Sequence, residues 1–180
     1  MEFELVRRAQ RGDEEAFAAL VPAAADRLMG VAYRILRDAS LAEDATQQAL
    51  LEAWRNLPKL RDPERFEAWT YRLVVHACYA EARRIRPWRR LRLLAAAEPR
   101  ARDESVDVVN RDLIARGFKS LSTQHRAVLV LHHYVGMPLT EVAALLDLPV
   151  GTVRSRLHYA SRALRSAIER DDAVPAQGVT

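Results

Sequence analysis

The stretch "MPLTEVAALLDLPVGTVRSRLHYA", residues 137–160, decides the fold of the C-terminal half of the chain. Apolar residues recur every three or four positions on both sides of "DLP", which predicts helices over 139–146 and 150–168. Two helices joined by so short a turn form a helix-turn-helix, whose second helix enters the major groove of DNA. Arg154 and Arg156 lie in the first turns of that second helix, with no acidic residue nearby. The stretch therefore predicts a basic recognition helix.

The predicted recognition helix has an apolar stripe and a polar face. The stripe, with spacings of three and four, consists of Val153, Leu157, Ala160, Leu164 and Ile168. The opposite face carries Ser155, His158, Tyr159 and Arg162. Arginine at the start of such a helix can bond guanine bidentately, and side chains along its flanks reach phosphates. A basic amphipathic helix alone could equally be a solvated surface, but its place as the second helix of a tight pair favours DNA.

The composition of the whole chain favours an all-α fold. The chain has 180 residues, 49% of them hydrophobic, and only six glycines. It contains no long alternating run of β-branched residues, and its length supports one core or two small ones. The single cysteine, Cys78, excludes an internal disulfide and a cysteine-based zinc site within the chain. The longest apolar run is shorter than a membrane span, so we expect a cytoplasmic protein without membrane insertion.

Capping and proline signals divide the first half of the chain into helices. The predicted ranges are 3–11, 14–37, 41–57 and 63–85. Gly12 and Asp13 break the first pair, and Pro22 suits the first turn of a further helix. Ser40 and Glu43 have the spacing of a capping box, which predicts that the third range starts beside them.

The chain as a whole is predicted to form two small helical domains joined by an extended linker. The predicted division is a first domain over 1–86, a linker over 87–107, a second domain over 108–170 and a flexible tail over 171–180. Helices over 108–119 and 123–135 precede the helix-turn-helix. Ser122 is the expected cap of the second of these helices, and Gly136 is its expected left-handed end.

Basic charge is concentrated in two separate parts of the sequence. Six arginines lie between Arg83 and Arg92 without an acid, although the net charge of the whole chain is only +4. The second concentration is the recognition helix, with Arg154, Arg156, Arg162 and Arg165. Two such surfaces favour a long polyanion, most simply nucleic acid, whereas the alternative is a pair of solvated helix faces.

The helix predicted over 63–85 combines aromatic and basic residues on one face. Its apolar side consists of Tyr71, Val74, Val75, Cys78 and Ala82. Another face repeats Trp69, His76 and Arg83 every seven residues, with Arg72 and Tyr79 beside them. Aromatic rings interleaved with arginines can stack on unpaired bases and hold their phosphates. The alternative is that Trp69 fills the interior of the bundle.

Three stretches of the chain resemble a known family. "AEDATQQALLEAWRNL", "FEAWTYRLVVHACYAEARR" and the helix-turn-helix are similar to regions 2 and 4 of bacterial sigma factors of the extracytoplasmic-function (ECF) type. The similarity covers about residues 3–86 and 108–169, in the family's order and spacing. It implies promoter-specific transcription initiation with core RNA polymerase, on promoter DNA and under an anti-sigma factor. It implies no cofactor, no metal and no enzymatic activity, and a location at the nucleoid when the protein is bound to polymerase.

The resemblance assigns residues to three surfaces. Docking on the β′ clamp helices of polymerase is carried over to Asp44, Gln47, Gln48, Leu51 and Trp54. Capture of the melted minus-10 strand is carried over to Trp69, Tyr71, Arg72, His76, Tyr79, Arg83 and Arg84. Reading of the minus-35 duplex is carried over to Thr152, Arg154, Ser155, Arg156, His158, Tyr159 and Arg162. The family also implies that the second domain meets the β flap and that the linker runs toward the active-site cleft.

The chain departs from the family pattern at five positions. Gln48 stands where the family usually has Glu, His76 where Asn is common, and Ala80 where Asp is frequent. Pro138 replaces the usual Ser or Thr helix cap, and Tyr159 replaces a frequent Arg. The base preference at both promoter elements, the regulon and the inducing signal therefore stay open.

Two other classes of function compete with this interpretation. A helix-turn-helix repressor or activator would bind its duplex without polymerase, with 1–86 as a sensing or dimerisation domain. A helical adaptor would bind only protein. An enzyme is disfavoured, because the sequence has no glycine-rich phosphate loop, nucleophile elbow or ligand spacing for a metal.

Overall fold

The computed structural model describes residues 2–85, 117–118 and 121–172, and all regular structure in these ranges is helical. The helices are α1 (Glu2–Gln10), α2 (Glu14–Leu36), α3 (Ala39–Asn56), α4 (Phe66–Arg84), α5 (Thr123–Leu129), α6 (Leu139–Leu146) and α7 (Val150–Asp172). Short 3-10 turns at Leu57–Lys59 and Pro63–Arg65 lie between α3 and α4. The predicted linker, most of the helix over 108–119 and most of the tail lie outside the described residues. The all-α fold is confirmed.

The predicted break between the first two helices is confirmed, and a side chain holds it. Gly12 has a φ of +92°, a left-handed conformation that suits glycine. Asp13 accepts a hydrogen bond from the backbone N–H of Ala16 at 2.9 Å and so caps α2. This bond and the Arg8 guanidinium, 2.7 Å away, hold the pKa of the Asp13 carboxyl below its ordinary value.

Pro22 does not begin a further helix, so that prediction was wrong. It lies inside α2, exposed to solvent, and the helix continues through it. The apolar face of α2 continues with helical spacing on both sides of the proline, with Leu20 and Ala24 buried around it. The free energy gained by burying that face exceeds the cost of the one backbone hydrogen bond that proline cannot donate, so the helix continues.

By length and composition alone, α2 could cross a membrane. Its partners in the structure are other helices, because it packs against α1, α3 and α4. Eight of its residues are buried, among them Leu28, Val31 and Ile35. The helix is therefore the central element of a bundle.

The cap of α3 differs from the prediction. Asp38 has an extended backbone, and its carboxylate accepts a hydrogen bond from the Leu41 N–H at 3.1 Å. Ser40 lies inside the first turn. The Ser40–Glu43 capping box was therefore wrong, because an acid two residues earlier already satisfies the free donor.

The described helices of the second domain lie close to their predicted ranges. Ser122 accepts from the His125 N–H at 3.3 Å and so caps α5, and Gly136 has a φ of +85°. Between them, Val130–Tyr134 forms a π-helical turn that the sequence did not predict. Asp147 ends α6 in the left-handed conformation, and α7 begins after the short turn.

Two apolar cores hold the described helices together. The smaller core joins α1 to the start of α2 and the α3–α4 connection, through Val6, Ala9, Ala16, Leu20, Leu57 and Phe66. The larger core extends from α2, α3 and α4 into the second domain, where α5 packs against α2 and α4, and α6 packs against α4. The two predicted domains thus lie in contact.

We expect Asp38→Ala to lower the free energy of unfolding by about 1 kcal/mol, because α3 loses its N-terminal acceptor. Ser40→Ala is the matched control and should change it by less than about 0.5 kcal/mol, since Ser40 caps nothing. Urea unfolding followed by circular dichroism measures both. An equal loss in the two variants would instead support the predicted Ser40–Glu43 capping box.

Candidate nucleic-acid interface

The polar face of α7 points to solvent. Its exposed residues are Arg154, Ser155, His158, Tyr159 and Arg162. Val153 and Ala160 are fully buried on the opposite side, and Leu157 and Leu164 pack against the same core. The predicted stripe is therefore confirmed, apart from the side chain of Ile168, which lies outside the described residues.

Three residues of the predicted duplex-reading set are less free than the others. Thr152 and Arg156 are half-buried. The Ser155 hydroxyl donates to the backbone oxygen of Thr152 at 2.9 Å, so it is turned toward its own helix. Arg154, His158 and Arg162 therefore present the most accessible polar groups for a duplex.

His125 is a neighbour of this face that the sequence did not reveal. Its ring lies 4.7 Å from the ring of Tyr159, at an angle of 38°. The hydroxyl of Ser122 lies 2.6 Å from Nδ1 of His125 and helps to fix the imidazole. Burial lowers the pKa of His125, and the nearby charge of Arg156 lowers it further. Because α5 and α7 are distant in sequence, no spacing rule links the two rings.

A second exposed face lies on α3. Asp44, Gln47, Gln48, Leu51 and Trp54 are all exposed, as their spacing of three and four residues predicts. Leu51 is 50% exposed and Trp54 is 39% exposed, which is unusual for large apolar side chains. Such a face is typical of a protein interface.

Phe17 of α2 extends the α3 face beyond the predicted residues. Its ring lies 4.7 Å from that of Trp54, and the two rings line an open groove with Val21 and Pro22. No sequence pattern indicated Phe17, because only the packing of α2 on α3 brings it to this face. The exposed apolar face is therefore wider than the third helix alone.

The ends of α3 and α4 are joined by charged groups. Arg84 lies 3.5 Å from Asp44 and 2.7 Å from Glu81, measured between guanidinium nitrogen and carboxylate oxygen. These partners raise the pKa of the Arg84 guanidinium, Glu81 more strongly than Asp44. On the same surface Gln48 donates to Glu52 at 3.1 Å.

The predicted strand-binding face of α4 is divided. Arg72, His76, Arg83 and Arg84 are exposed. Trp69 is half-buried, with its ring 6.1 Å from that of Phe66, and it also lines a cavity of about 340 Å³. Trp69 thus fills part of the bundle, as the alternative interpretation held, and keeps one edge outside it.

Two tyrosines assigned to that face are covered to different extents. Tyr71 is only 6% exposed, and its hydroxyl donates to Glu67 at 3.0 Å. Tyr79 is half-buried, with its hydroxyl oxygen turned into the interior. Burial raises the pKa of Tyr71 to about 12, and it does the same for Tyr79. The apolar packing of α4 therefore withdraws Tyr71 from the surface and leaves only part of Tyr79 accessible.

His76 lies on the exposed part of α4. Partial desolvation lowers its pKa, and the positive charge of Arg72 lowers it further. Its ring is 6.4 Å from that of Tyr79, edge to face. A neutral imidazole at this position can both stack on a base and form hydrogen bonds with it.

Comparison with known families identifies both halves of the chain. The Sigma-70 region 2 model matches residues 20–87, and the Sigma-70 region 4 model matches residues 117–166. The ECF RNA polymerase sigma factor SigL of Mycobacterium tuberculosis is 35% identical over 170 residues, which are 88% of this chain and 94% of SigL. The chain belongs to the ECF family of RNA polymerase sigma factors. A second relative, the RNA polymerase sigma-H factor of Pseudomonas aeruginosa, is 30% identical over 92% of this chain and 93% of its own length.

Two solved structures share the fold. CnrH in complex with the cytosolic domain of CnrY superposes with a TM-score of 0.69 at 25% identity, covering 94% of this chain and 98% of CnrH. The sigma factor RpoE of Bartonella quintana, solved with the anti-sigma factor NepR, has a TM-score of 0.67 at 21% identity. This superposition covers 85% of this chain and 96% of RpoE.

Membership of the family gives the exposed faces their functional context. As a sigma factor, the chain directs core RNA polymerase to promoter DNA, a role that belongs to the cytoplasm. The faces on α3 and α4 lie within region 2, and the helix-turn-helix lies within region 4. Within the described ranges, no three His, Cys, Asp or Glu side chains are grouped so that they could hold a metal ion.

The lowered pKa values of His76 and His125 predict that the sigma factor loses stability in mild acid. In the unfolded chain these two histidines bind protons near pH 6.5, whereas in the folded chain they bind them only at lower pH. The free energy of unfolding should therefore fall as the pH drops below 6.5. Above pH 6.5 the two histidines should make no difference. Urea unfolding at pH 7.5 and 5.5 measures the effect, and replacing both histidines with Gln should reduce the fall. An unchanged fall in the double variant would show that other groups cause it.

Proposed function

We propose that the sigma factor divides its work among the three faces described above. The α3 face docks on the β′ clamp helices of core polymerase, the α4 face captures the melted minus-10 strand, and the α7 face reads the minus-35 duplex. The observation that carries this division is that α3 exposes Leu51 and Trp54 one turn apart. On α4 and α7 the exposed side chains are instead mainly basic or imidazole groups, namely Arg72, His76, Arg83, Arg84, Arg154, His158 and Arg162. Apolar patches favour protein partners, and basic faces favour nucleic acid.

For polymerase docking we propose a surface wider than the five predicted residues. Leu51 and Trp54 supply its apolar centre, and Phe17 supports Trp54 from α2. Asp44 and Gln47 supply polar groups at one end of the same face. An apolar centre with a polar rim is the usual anatomy of a protein interface.

For strand capture we propose Trp69 and His76 as the base-contacting residues. Arg72, Arg83 and Arg84 lie beside them and provide charge for the phosphates. We assign full contact of Tyr79 with a base only to a rearranged state, because the residue is half-buried and its hydroxyl is covered in the described arrangement. We propose no DNA contact for Tyr71, whose hydroxyl is held by Glu67.

For the duplex we propose that Arg154 and Arg156 contact base edges or phosphates near the start of α7. Thr152, Ser155, His158, Tyr159 and Arg162 complete the proposed face. The Tyr159 ring packs against the His125 ring, and this contact orients Tyr159. His125 is therefore a positioning residue for upstream recognition.

We also propose an anti-sigma factor and the β flap of polymerase as further protein partners. The solved relatives CnrH and RpoE are both bound to a second protein, and for RpoE that protein is an anti-sigma factor. We infer that the chain catalyses no reaction itself and needs no cofactor, because polymerase supplies the chemistry of initiation. Localisation at the nucleoid would follow from binding to polymerase.

We expect Asp44→Arg to weaken binding to core RNA polymerase by on the order of 1–3 kcal/mol, because a carboxylate facing a basic partner becomes a repelling cation. Glu43→Arg is the matched control, since Glu43 is an exposed acid next to Asp44 but outside the proposed set. Fluorescence anisotropy of labelled protein with core enzyme measures both. Equal losses in the two variants would mean that general charge, rather than the α3 face, governs docking.

Substitutions on α7 and α4 should affect different steps of initiation. Arg154→Ala or Arg156→Ala should weaken binding of the holoenzyme to duplex promoter by roughly 1–3 kcal/mol for a lost base contact, or flatten the salt dependence for a lost phosphate contact. Trp69→Ala and His76→Ala should leave closed complexes nearly intact and reduce strand opening, by up to about 1–3 kcal/mol for a lost base stack.

Promoter binding and permanganate reactivity of unpaired thymines separate the two groups of variants, with a promoter mapped by run-off transcription of genomic DNA. A pre-melted template is the control, because it removes the need to open the strands. If it restored the Arg154 and Arg156 variants but not the Trp69 and His76 variants, the division of labour would be wrong. If both groups lose duplex binding equally, the division of labour is wrong. Tight binding to a duplex by the free protein as a dimer would instead support a repressor.

A further inference from the structure

Region 4 packs directly on region 2 in the described arrangement. The larger core includes Val74 and Val75 of α4 together with Val128 and Leu131 of the second domain, all of them fully or almost fully buried. Nothing but the chain itself covers these side chains. The sigma factor is therefore closed in this state, and separation of the two regions would expose apolar surface from both.

Closure covers the inner part of the strand-binding face. The Tyr79 hydroxyl is buried and has no hydrogen-bond partner among the described residues. Arg156 of α7 lies near enough for its positive charge to act on the phenol. Residues assigned to the downstream strand and to the upstream duplex thus lie together, where neither can engage DNA fully.

The outer part of the same face borders a cleft between the regions. Trp69 and Arg72 form one wall of the cavity of about 340 Å³, and Met137, Glu141 and Leu145 form the opposite wall. A base that stacks on the accessible part of the Trp69 ring would lie in or beside this cleft. With α6 in place, the strand on either side of that base meets the second domain.

A contact outside both DNA faces holds the regions together. The Tyr134 ring, on the π-helical turn, lies 3.7 Å from the guanidinium carbon of Arg34 in α2, a cation–π contact. Arg34 also donates to the backbone oxygen of Gly30 at 2.9 Å. A Cβ atom on Gly30 would lie only 2.9 Å from the Tyr134 hydroxyl oxygen, so the missing side chain makes room for this ring. Glycine is otherwise unfavourable in the middle of a helix.

We propose that region 4 is an internal cover for the strand-binding face. The contact of Tyr134 with Gly30 and Arg34 holds this cover closed, and the cover must open before a melted strand can be captured. The proposal rests on the proposed function of α4. The duplex-reading residues Arg154 and His158 remain exposed in the closed state. The cover is therefore selective, since it masks the single-strand site and leaves most of the duplex site accessible.

The latch can be tested without changing any proposed contact to DNA or polymerase. Gly30→Gln places a good helix former where the Tyr134 ring lies, so it should open the regions and keep α2 folded. Tyr134→Ala removes the same contact from the other side, at a residue that is already 50% exposed. Ala23→Gln is the matched control, because Ala23 is exposed on the same helix.

Two readouts report the opening directly. Small-angle scattering of the full chain should give the wild type and Ala23→Gln a radius of gyration near the value of about 16 Å for a compact chain of this length. Gly30→Gln and Tyr134→Ala should give larger values. With Trp54 and Trp88 replaced by Phe, acrylamide should quench Trp69 more strongly in the two latch variants. A wild type that already scatters as two separate bodies, or a latch variant that changes neither readout, would overturn the proposal.

The functional consequence is measured with a mixed-sequence single-stranded DNA 20-mer. Loss of a cation–π latch should raise the apparent affinity about fivefold, because a larger fraction of molecules is competent to bind. Affinity for the matching duplex should stay the same. If the regions open but the 20-mer binds no better, the covered face is not the strand site and the proposed function of α4 fails. If the regions do not respond at all, the latch alone fails and that function stands.

Discussion

Burial of the apolar side of α4 is the interaction on which the rest of the structure depends. Val74, Val75 and Cys78 are fully buried, and the helix packs against α2, α3, α5 and α6. Removing these side chains from water stabilises both the region 2 bundle and its contact with region 4. Because α4 is amphipathic, the same packing decides which of its residues remain outside to meet DNA. The burial of Tyr71 and the exposure of Arg72 are two results of one helix orientation.

The three functional faces differ in how far the packing leaves them free. The α3 face is fully open, and its large apolar residues stay in water until a partner covers them. The α7 face is mostly open, with Tyr159 supported from below by His125. Packing restricts the α4 face most, since the Tyr79 hydroxyl is buried and Trp69 borders the cleft. Access therefore decreases from the face proposed for polymerase to the face proposed for melted DNA.

Two interactions of cations with rings add to the apolar contact between the regions. Arg34 lies over Tyr134, and Arg37 lies 5.6 Å from the Phe118 ring. Contacts of this kind contribute about 0.5–2 kcal/mol each, so a few of them can hold two domains together without making the association permanent. The buried Tyr79 hydroxyl opposes closure, because a polar group without a partner costs free energy in an apolar site. The balance suits a contact that must open again.

Local sequence patterns were enough to predict the helices, the helix-turn-helix and most of the exposed residues. Those features depend on local chemistry: a cap at Ser122, a left-handed glycine at Gly136, and apolar spacing that sets the buried side of α7. Local competition also explains two errors, since Asp38 preceded Ser40 as a cap and the apolar face of α2 carried the helix past Pro22. The packing of distant helices explains three features that no local pattern predicts: the Tyr79 hydroxyl is buried, His125 supports Tyr159, and Gly30 makes room for Tyr134. Each of these contacts joins helices far apart in sequence, and periodicity fixes which face of a helix is buried but not which helix covers it.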